Sequence, residues 1–94
     1  MEMNLKIGQI VRSKAGRDQN RYMVVVAVED EFVFLCDGDM RKADSPKKKK
    51  IKHVAKTNHI AEDIVQKLQE HGKLSNAQLR KALVKYNFGD TEEG

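Results

Sequence analysis

The chain has 94 residues, of which 18 are Lys or Arg and 14 are Asp or Glu, giving a formal net charge of +4. This length fits one domain, and no apolar run approaches the roughly 18 residues that a membrane-spanning helix needs. The single cysteine, Cys36, excludes a disulfide within this sequence and a zinc site built from several cysteines. The first residues show no basic segment followed by an apolar stretch, so we expect a cytoplasmic protein with no membrane partner.

Residues 7–56 show the pattern of short β-strands separated by polar turns. The predicted strands are Gln9–Ser13, Tyr22–Val28, Phe32–Cys36, Met40–Ala43 and Lys52–Lys56. The second is apolar throughout, which is typical of a strand covered on both faces. Asp37 and Gly38 indicate a tight hairpin before the fourth strand, and Val54 is expected to face inward in the fifth. These elements predict a small, highly curved antiparallel sheet or barrel.

Two helices are predicted after the strands. The first has an apolar series at helical spacing, Ile60, Ile64, Val65 and Leu68. Thr57 or Asn58 is its expected N-cap, and Gly72 its expected end. The second helix begins with a capping box formed by Ser75 and Gln78. Its neighbouring apolar residues are Leu74 and Leu79, at the positions of a hydrophobic staple, and the stripe Leu79, Ala82, Leu83 and Tyr86. We expect this helical hairpin to cover the outer face of the second strand.

Basic residues are concentrated in the first part of the chain, where residues 1–57 hold 13 basic and 8 acidic side chains. One concentration follows the first strand, where hydrogen-bond donors surround Gly16 in a predicted loop. Such a loop fits contacts with RNA phosphates or base edges, or else it is a polar loop that serves solubility alone. A second concentration is the lysine run 47–50 with Lys52 and His53. Lysine side chains can bind nucleic-acid phosphates without recognising the nucleotide sequence. The alternative is that this run is a solvated loop.

The stretch from Lys6 to about Asp30 resembles a KOW motif, a strand–loop–strand unit of RNA-binding ribosomal and transcription-elongation proteins. Gly16 stands at the eleventh position, where that motif has its hallmark glycine. The order of the elements also resembles that of KOW-bearing large-subunit ribosomal proteins of archaea and eukaryotes. These elements are the loop Ala15-Gly16-Arg17-Asp18, the valine-rich strand 24–26 and the lysine-rich segment 46–53. The resemblance covers about residues 6–57 and implies an SH3-like barrel that binds RNA. Asn20 replaces a second glycine of many such loops, but asparagine tolerates a left-handed backbone.

Other kinds of site receive little support from the sequence. Tyr22 is a candidate for stacking on unpaired bases, whereas Phe32 and Phe34 alternate as expected of core residues. The histidines and Cys36 match no zinc-binding spacing, and Cys36 fits a small core residue. No motif or base–nucleophile pair indicates catalysis, so we expect no catalytic residue, no metal and no cofactor. The second helix, with Arg80, Lys81 and Lys85, could also belong to a DNA-reading helix-turn-helix, although that motif needs further helical support.

We therefore predict a KOW-type SH3-like β-barrel at 1–57, a helical hairpin at 58–88 and a frayed tail at 89–94. The expected function is non-enzymatic binding of structured ribosomal RNA in a ribosome-associated or translation role. The predicted contact residues are Arg12, Lys14, Gly16, Arg17, Asn20, Arg21, Lys47, Lys48, Lys49, Lys50, Lys52 and His53. The alternative is an adaptor that binds ribosomal or polymerase proteins, with the helical hairpin as a further docking surface. The sequence leaves the oligomeric state open.

Overall fold

The computed structural model describes residues 4–87, so the predicted tail at 89–94 lies outside the described residues. The chain forms a five-stranded antiparallel sheet followed by two helices. The elements in chain order are β1 (Gln9–Ser13), β2 (Tyr22–Glu29), β3 (Phe32–Cys36), β4 (Lys47–Lys50), a 3₁₀ helix (Ile51–His53), β5 (Val54–Ile60), α1 (Glu62–His71) and α2 (Asn76–Asn87). The first three strands were predicted within one residue at each end.

The strands lie in the order β4-β3-β2-β1-β5, and the sheet is not closed into a barrel. It is nevertheless strongly curled, because its two edge strands are consecutive in the chain. Five strands about 4.8 Å apart would separate the edges of a flat sheet by roughly 19 Å. The three-residue 3₁₀ helix that joins β4 to β5 rises only about 6 Å. The edges must therefore approach each other at this end, which gives the high curvature predicted from the sequence.

The prediction of a fourth strand at 40–43 is wrong, because these residues form a loop and β4 lies further along the chain. The carboxylate of Asp37 organises this loop: its Oδ1 accepts hydrogen bonds from the backbone N–H of Asp39 (3.0 Å) and of Arg41 (2.8 Å). Gly38 has a φ of +79°, and a Cβ there would overlap the carbonyl oxygen of Asn76 in α2. The loop thus packs closely on the start of α2, and the place beside β3 is left to the lysine run.

The sheet separates two apolar clusters, which explains why β2 is apolar on both faces. Leu5, Val11, Met23, Val25, Val33, Leu35 and Val54 form the cluster inside the curl. Ile10, Val24, Cys36, Ala61, Ile64, Leu79 and Leu83 form the second, between the outer face and the helices. Burial of Val54 and coverage of β2 by the helical hairpin are both confirmed.

The two helices differ in how well their starts were predicted. Ser75 and Gln78 form the expected capping box, with reciprocal bonds of 3.1 and 3.0 Å. Gly72 ends α1 in the left-handed conformation, also as expected. The prediction that Thr57 or Asn58 caps α1 is wrong, because both residues belong to β5 and Ala61 precedes the helix without a side-chain cap. Thr57 instead donates its hydroxyl to the carbonyl oxygen of Ile10 at 2.8 Å, which strengthens the pairing of β5 with β1.

Candidate nucleic-acid interface

The loop between β1 and β2, residues 14–21, is here called the basic loop. Two of its residues have a left-handed backbone, Gly16 with a φ of +87° and Asn20 with a φ of +72°. The second value confirms that Asn20 has a left-handed backbone, which asparagine tolerates better than most other residues with a side chain. The side chain of Asn20 also accepts a hydrogen bond from Arg12 Nη1 at 3.0 Å. The shape of the loop is thus set by backbone conformation and by a cross-loop bond.

Lys49 is the residue that fixes the basic loop to β4. Its ammonium group donates to Ser13 Oγ (2.9 Å), to the carbonyl oxygen of Ala15 (2.8 Å) and to Asp18 Oδ1 (3.0 Å). Lys49 is 8% exposed and Asp18 is 3% exposed, so this ion pair is buried. The sequence placed Lys49 among the RNA contacts, whereas the structure places it in the interior, with its three donors all directed at protein groups.

The protonation of Asp18 reflects this environment. Burial alone would raise the pKa of its carboxyl group, but the hydrogen bonds from Lys49 and Ser13 and the charges of Lys49 and Lys47 act in the opposite direction. The net result is a pKa below the ordinary value of 3.8. The carboxylate of Asp18 is therefore ionised at neutral pH.

Three elements come together around this buried pair. The basic loop is held against β4 by Lys49, and the backbone N–H of Lys14 donates to the carbonyl oxygen of His53 in the 3₁₀ helix at 2.8 Å. We call the combined surface of the basic loop, β4 and the 3₁₀ helix the basic edge. The two basic segments identified in the sequence are therefore neighbours in space, although their members are at least 26 positions apart in the chain.

Five cations of the basic edge form no ion pair within the described residues, although the charge of one of them, Lys47, acts on Asp18. Within residues 4–87, no carboxylate oxygen lies within 4.0 Å of their charged groups. They are Lys14, Arg17, Lys47, Lys50 and Lys52. Lys47 is half-buried and points to the same side of β4 as Lys49, whereas Lys50 projects from the opposite side of this edge strand.

Other predicted contact residues are engaged within the protein. Arg21 forms ion pairs with the buried Asp37 at 2.8 Å and with Asp39 at 2.9 Å, so it ties the end of the basic loop to the loop after β3. The ammonium group of Lys48 lies 4.4 Å from the ring centre of Phe32 and 3.8 Å from a carboxylate oxygen of Glu29. The charges of Arg21 and Lys48 are thus partly compensated.

The aromatic side chains near the basic edge are covered by neighbours. Tyr22 packs against Tyr86 of α2 with ring centres 4.9 Å apart, and it belongs to the apolar cluster under the helices. Phe32 and Phe34 are half-buried on the outer side of β3, with Lys48 above both rings. Tyr22 is therefore a packing residue in this structure, and the two phenylalanines are less buried than expected of core residues.

Cys36 is fully buried, and burial raises the pKa of its thiol to about 12, with a further contribution from the charge of Asp37. It behaves as the small core residue expected from the sequence. Among residues 4–87 there is no group of three histidine, cysteine or carboxylate side chains arranged to hold a metal ion. None of the helices described is long and apolar enough to cross a membrane.

Sequence reasoning missed Asp18 and Ser13, which together hold Lys49. Nothing in their local pattern separates a buried ion-pair partner from an ordinary polar loop residue, because Lys49 lies 31 positions after Asp18 in the chain.

Comparison with models of protein families finds none that matches this chain, and comparison with curated proteins finds no significant match.

Proposed function

We propose that this protein is a non-enzymatic RNA-binding module and that the basic edge is its binding surface. The observation that supports this most directly is the Lys49–Asp18 pair, which joins two separate basic segments into one surface on which five other cations form no ion pair within residues 4–87. A surface of this kind attracts polyanions and can neutralise several phosphates at once.

The choice of RNA over other polyanions rests on the resemblance of residues 6–57 to KOW-bearing ribosomal proteins. On this basis we propose structured ribosomal RNA as the ligand, in a cytoplasmic, ribosome-associated or translation-related role. Charge alone does not separate RNA from DNA, because both present the same phosphate groups. The comparison of RNA with DNA therefore belongs in any test of this proposal.

We also propose that the curled sheet is an open variant of the KOW-type SH3-like barrel. Two features support this assignment: the edge strands meet through a three-residue 3₁₀ helix, and Gly16 has the left-handed backbone that only glycine adopts without strain. Gly16 is exposed, and a Cβ added there would contact no backbone atom of another segment. The role of this glycine is therefore conformational.

The proposal can be tested by removing two free cations that take no part in the fold. In the double variant Arg17→Gln/Lys52→Gln, both altered side chains are exposed and lack an internal carboxylate partner within the described residues. The matched control is Lys81→Gln/Lys85→Gln, which removes the same charge from exposed positions of α2. Fluorescence anisotropy with a labelled ribosomal RNA fragment then gives the affinity of each protein over a range of salt concentrations.

If the basic edge binds RNA, neutralising four to five phosphates should give a log–log salt slope of about −4, and the Arg17/Lys52 variant should flatten it by about 2. The control variant should leave the slope unchanged. Equal slopes for the two variants would remove the basic edge as the binding surface. Absence of RNA binding by the wild-type protein would instead favour the adaptor function. In that case a partner protein should remain bound when the complex is treated with nuclease during purification.

A further inference from the structure

The aromatic rings near the basic edge that could stack on nucleic-acid bases already contact other side chains of the protein. Sequence-independent binding of single strands depends on exposed aromatic faces, each worth about 1–3 kcal/mol per stacked base. Here Tyr22 is packed on Tyr86, and the ammonium group of Lys48 lies over Phe32. Among the described residues, the basic edge therefore offers charge without an open stacking platform of tyrosine or phenylalanine.

The basic loop is also held in one shape before any ligand arrives. Ser13 and Lys49 bind its inner side, the Arg12–Asn20 bond spans its base, and its backbone is anchored to the 3₁₀ helix at Lys14. Cations on such a loop keep nearly fixed relative positions. A ligand with fixed phosphate positions loses little entropy on binding them, whereas a flexible strand must first be ordered.

From these two observations we propose that the ligand of the basic edge is base-paired RNA, held through its phosphates and 2′-hydroxyl groups and not through unpaired bases. This inference rests on the proposed function and narrows it to one class of RNA. Recognition of double-stranded RNA relies on shape and backbone contacts, and that is the chemistry which the free cations supply. Recognition of RNA sequence, by contrast, usually requires splayed bases and rings that receive them.

The test compares three labelled probes of one sequence: a 20-nucleotide RNA strand without self-complementarity, the same strand annealed to its RNA complement, and the corresponding DNA duplex. We expect the RNA duplex to bind at least about tenfold more tightly than the single strand. A tenfold difference in affinity is about the contribution of one stacked base, which the basic edge does not provide to a single strand. The RNA duplex should lose affinity in the Arg17→Gln/Lys52→Gln variant and keep it in the Lys81→Gln/Lys85→Gln control.

Failure of this inference can be distinguished from failure of the proposed function. If the single strand binds as tightly as the duplex, and the Arg17/Lys52 variant weakens both, the basic edge binds RNA but the duplex inference is overturned. If the DNA duplex binds as tightly as the RNA duplex, the assignment to RNA is overturned. If neither RNA probe binds, both proposals are rejected.

A second variant addresses the one half-buried imidazole of the basic edge, that of His53 in the 3₁₀ helix. We expect His53→Ala to change the affinity for either RNA probe by less than about twofold, because the surface contacts phosphates and sugars and stacks on no base. A tenfold loss confined to the single strand would show that His53 stacks on a base, and would refute the inference.

Discussion

Replacing Lys49 by methionine should destabilise the fold far more than a change of one lysine in a lysine run would normally do. Lys49 and Asp18 are both almost fully buried, and their charged atoms are 3.0 Å apart. Removing Lys49 leaves the carboxylate of Asp18 in the interior without its charge partner. Breaking one side of a buried ion pair costs about 3–5 kcal/mol, a large part of the 5–15 kcal/mol that stabilises a typical domain.

The free energy of unfolding is measured by urea denaturation, followed by circular dichroism. Lys50→Met is the matched control, because Lys50 is the adjacent residue of β4, is exposed and has no ion-pair partner in the described part of the chain. Its effect should stay within about 0.5 kcal/mol. The double variant Asp18→Asn/Lys49→Met removes both charges and should recover much of the stability lost in the Lys49 single variant.

A small effect would refute this reasoning. If Lys49→Met and Lys50→Met lower the free energy of unfolding equally, then Lys49 is solvated and does not hold the basic loop on β4. If the double variant is no more stable than Lys49→Met, the charge of Asp18 is not the source of the loss.

Three further predictions concern pH, backbone conformation and thiol reactivity. Because the folded pKa of Asp18 is depressed, its contribution to stability is complete above its ordinary pKa of 3.8 and is lost as the pH falls through the folded pKa. Asp18→Asn should therefore flatten the decline in melting temperature below about pH 4, and an unchanged decline would contradict the pairing. Gly38→Ala should destabilise the protein by more than Gly72→Ala, which should cost about 1–2 kcal/mol, since both have positive φ but only Gly38 faces a backbone oxygen; equal urea midpoints would argue against this close contact. With a pKa of about 12, Cys36 should resist a thiol reagent such as DTNB at pH 8 until urea unfolds the chain, and rapid labelling of the native protein would show that Cys36 is accessible.

Local patterns in the sequence predicted those parts of the fold that depend on local interactions. The apolar runs gave β1 and β3 with the bounds found in the structure, and the capping box placed the start of α2. The continuous apolar character of β2 correctly indicated cover on both faces, because each face packs against its own cluster. These features depend on hydrophobic periodicity and on hydrogen bonds between residues three positions apart.

β4 was missed because its stability comes from distant partners and not from its own residues. Four consecutive lysines have low strand propensity and no alternation of apolar and polar positions. Their strand forms because it pairs with β3, and because Lys49 finds an internal partner across the curl. The Asp37-Gly38 pair is typical of a tight hairpin, but here the carboxylate of Asp37 closes the loop and Gly38 packs on α2.

For the candidate site, the sequence shows which residues are basic but not how they are arranged in space. The sequence identified the two basic segments, but it treated every cation in them as equivalent. The structure separates the exposed cations such as Lys14 and Arg17 from the buried Lys49 and from Arg21, which is paired with carboxylates. That division depends on contacts between residues far apart in the chain, which a single sequence does not display.

The most direct test of RNA binding through the basic edge is ultraviolet crosslinking in cells that express the protein. The bound RNA is sequenced, and the crosslinked peptides are identified by mass spectrometry. The account predicts reads concentrated at a ribosomal RNA position, with crosslinks on peptides from the basic loop and from residues 47–53. Crosslinked RNA no higher than in a control without ultraviolet light, or crosslinks confined to peptides of α1 and α2, would contradict it.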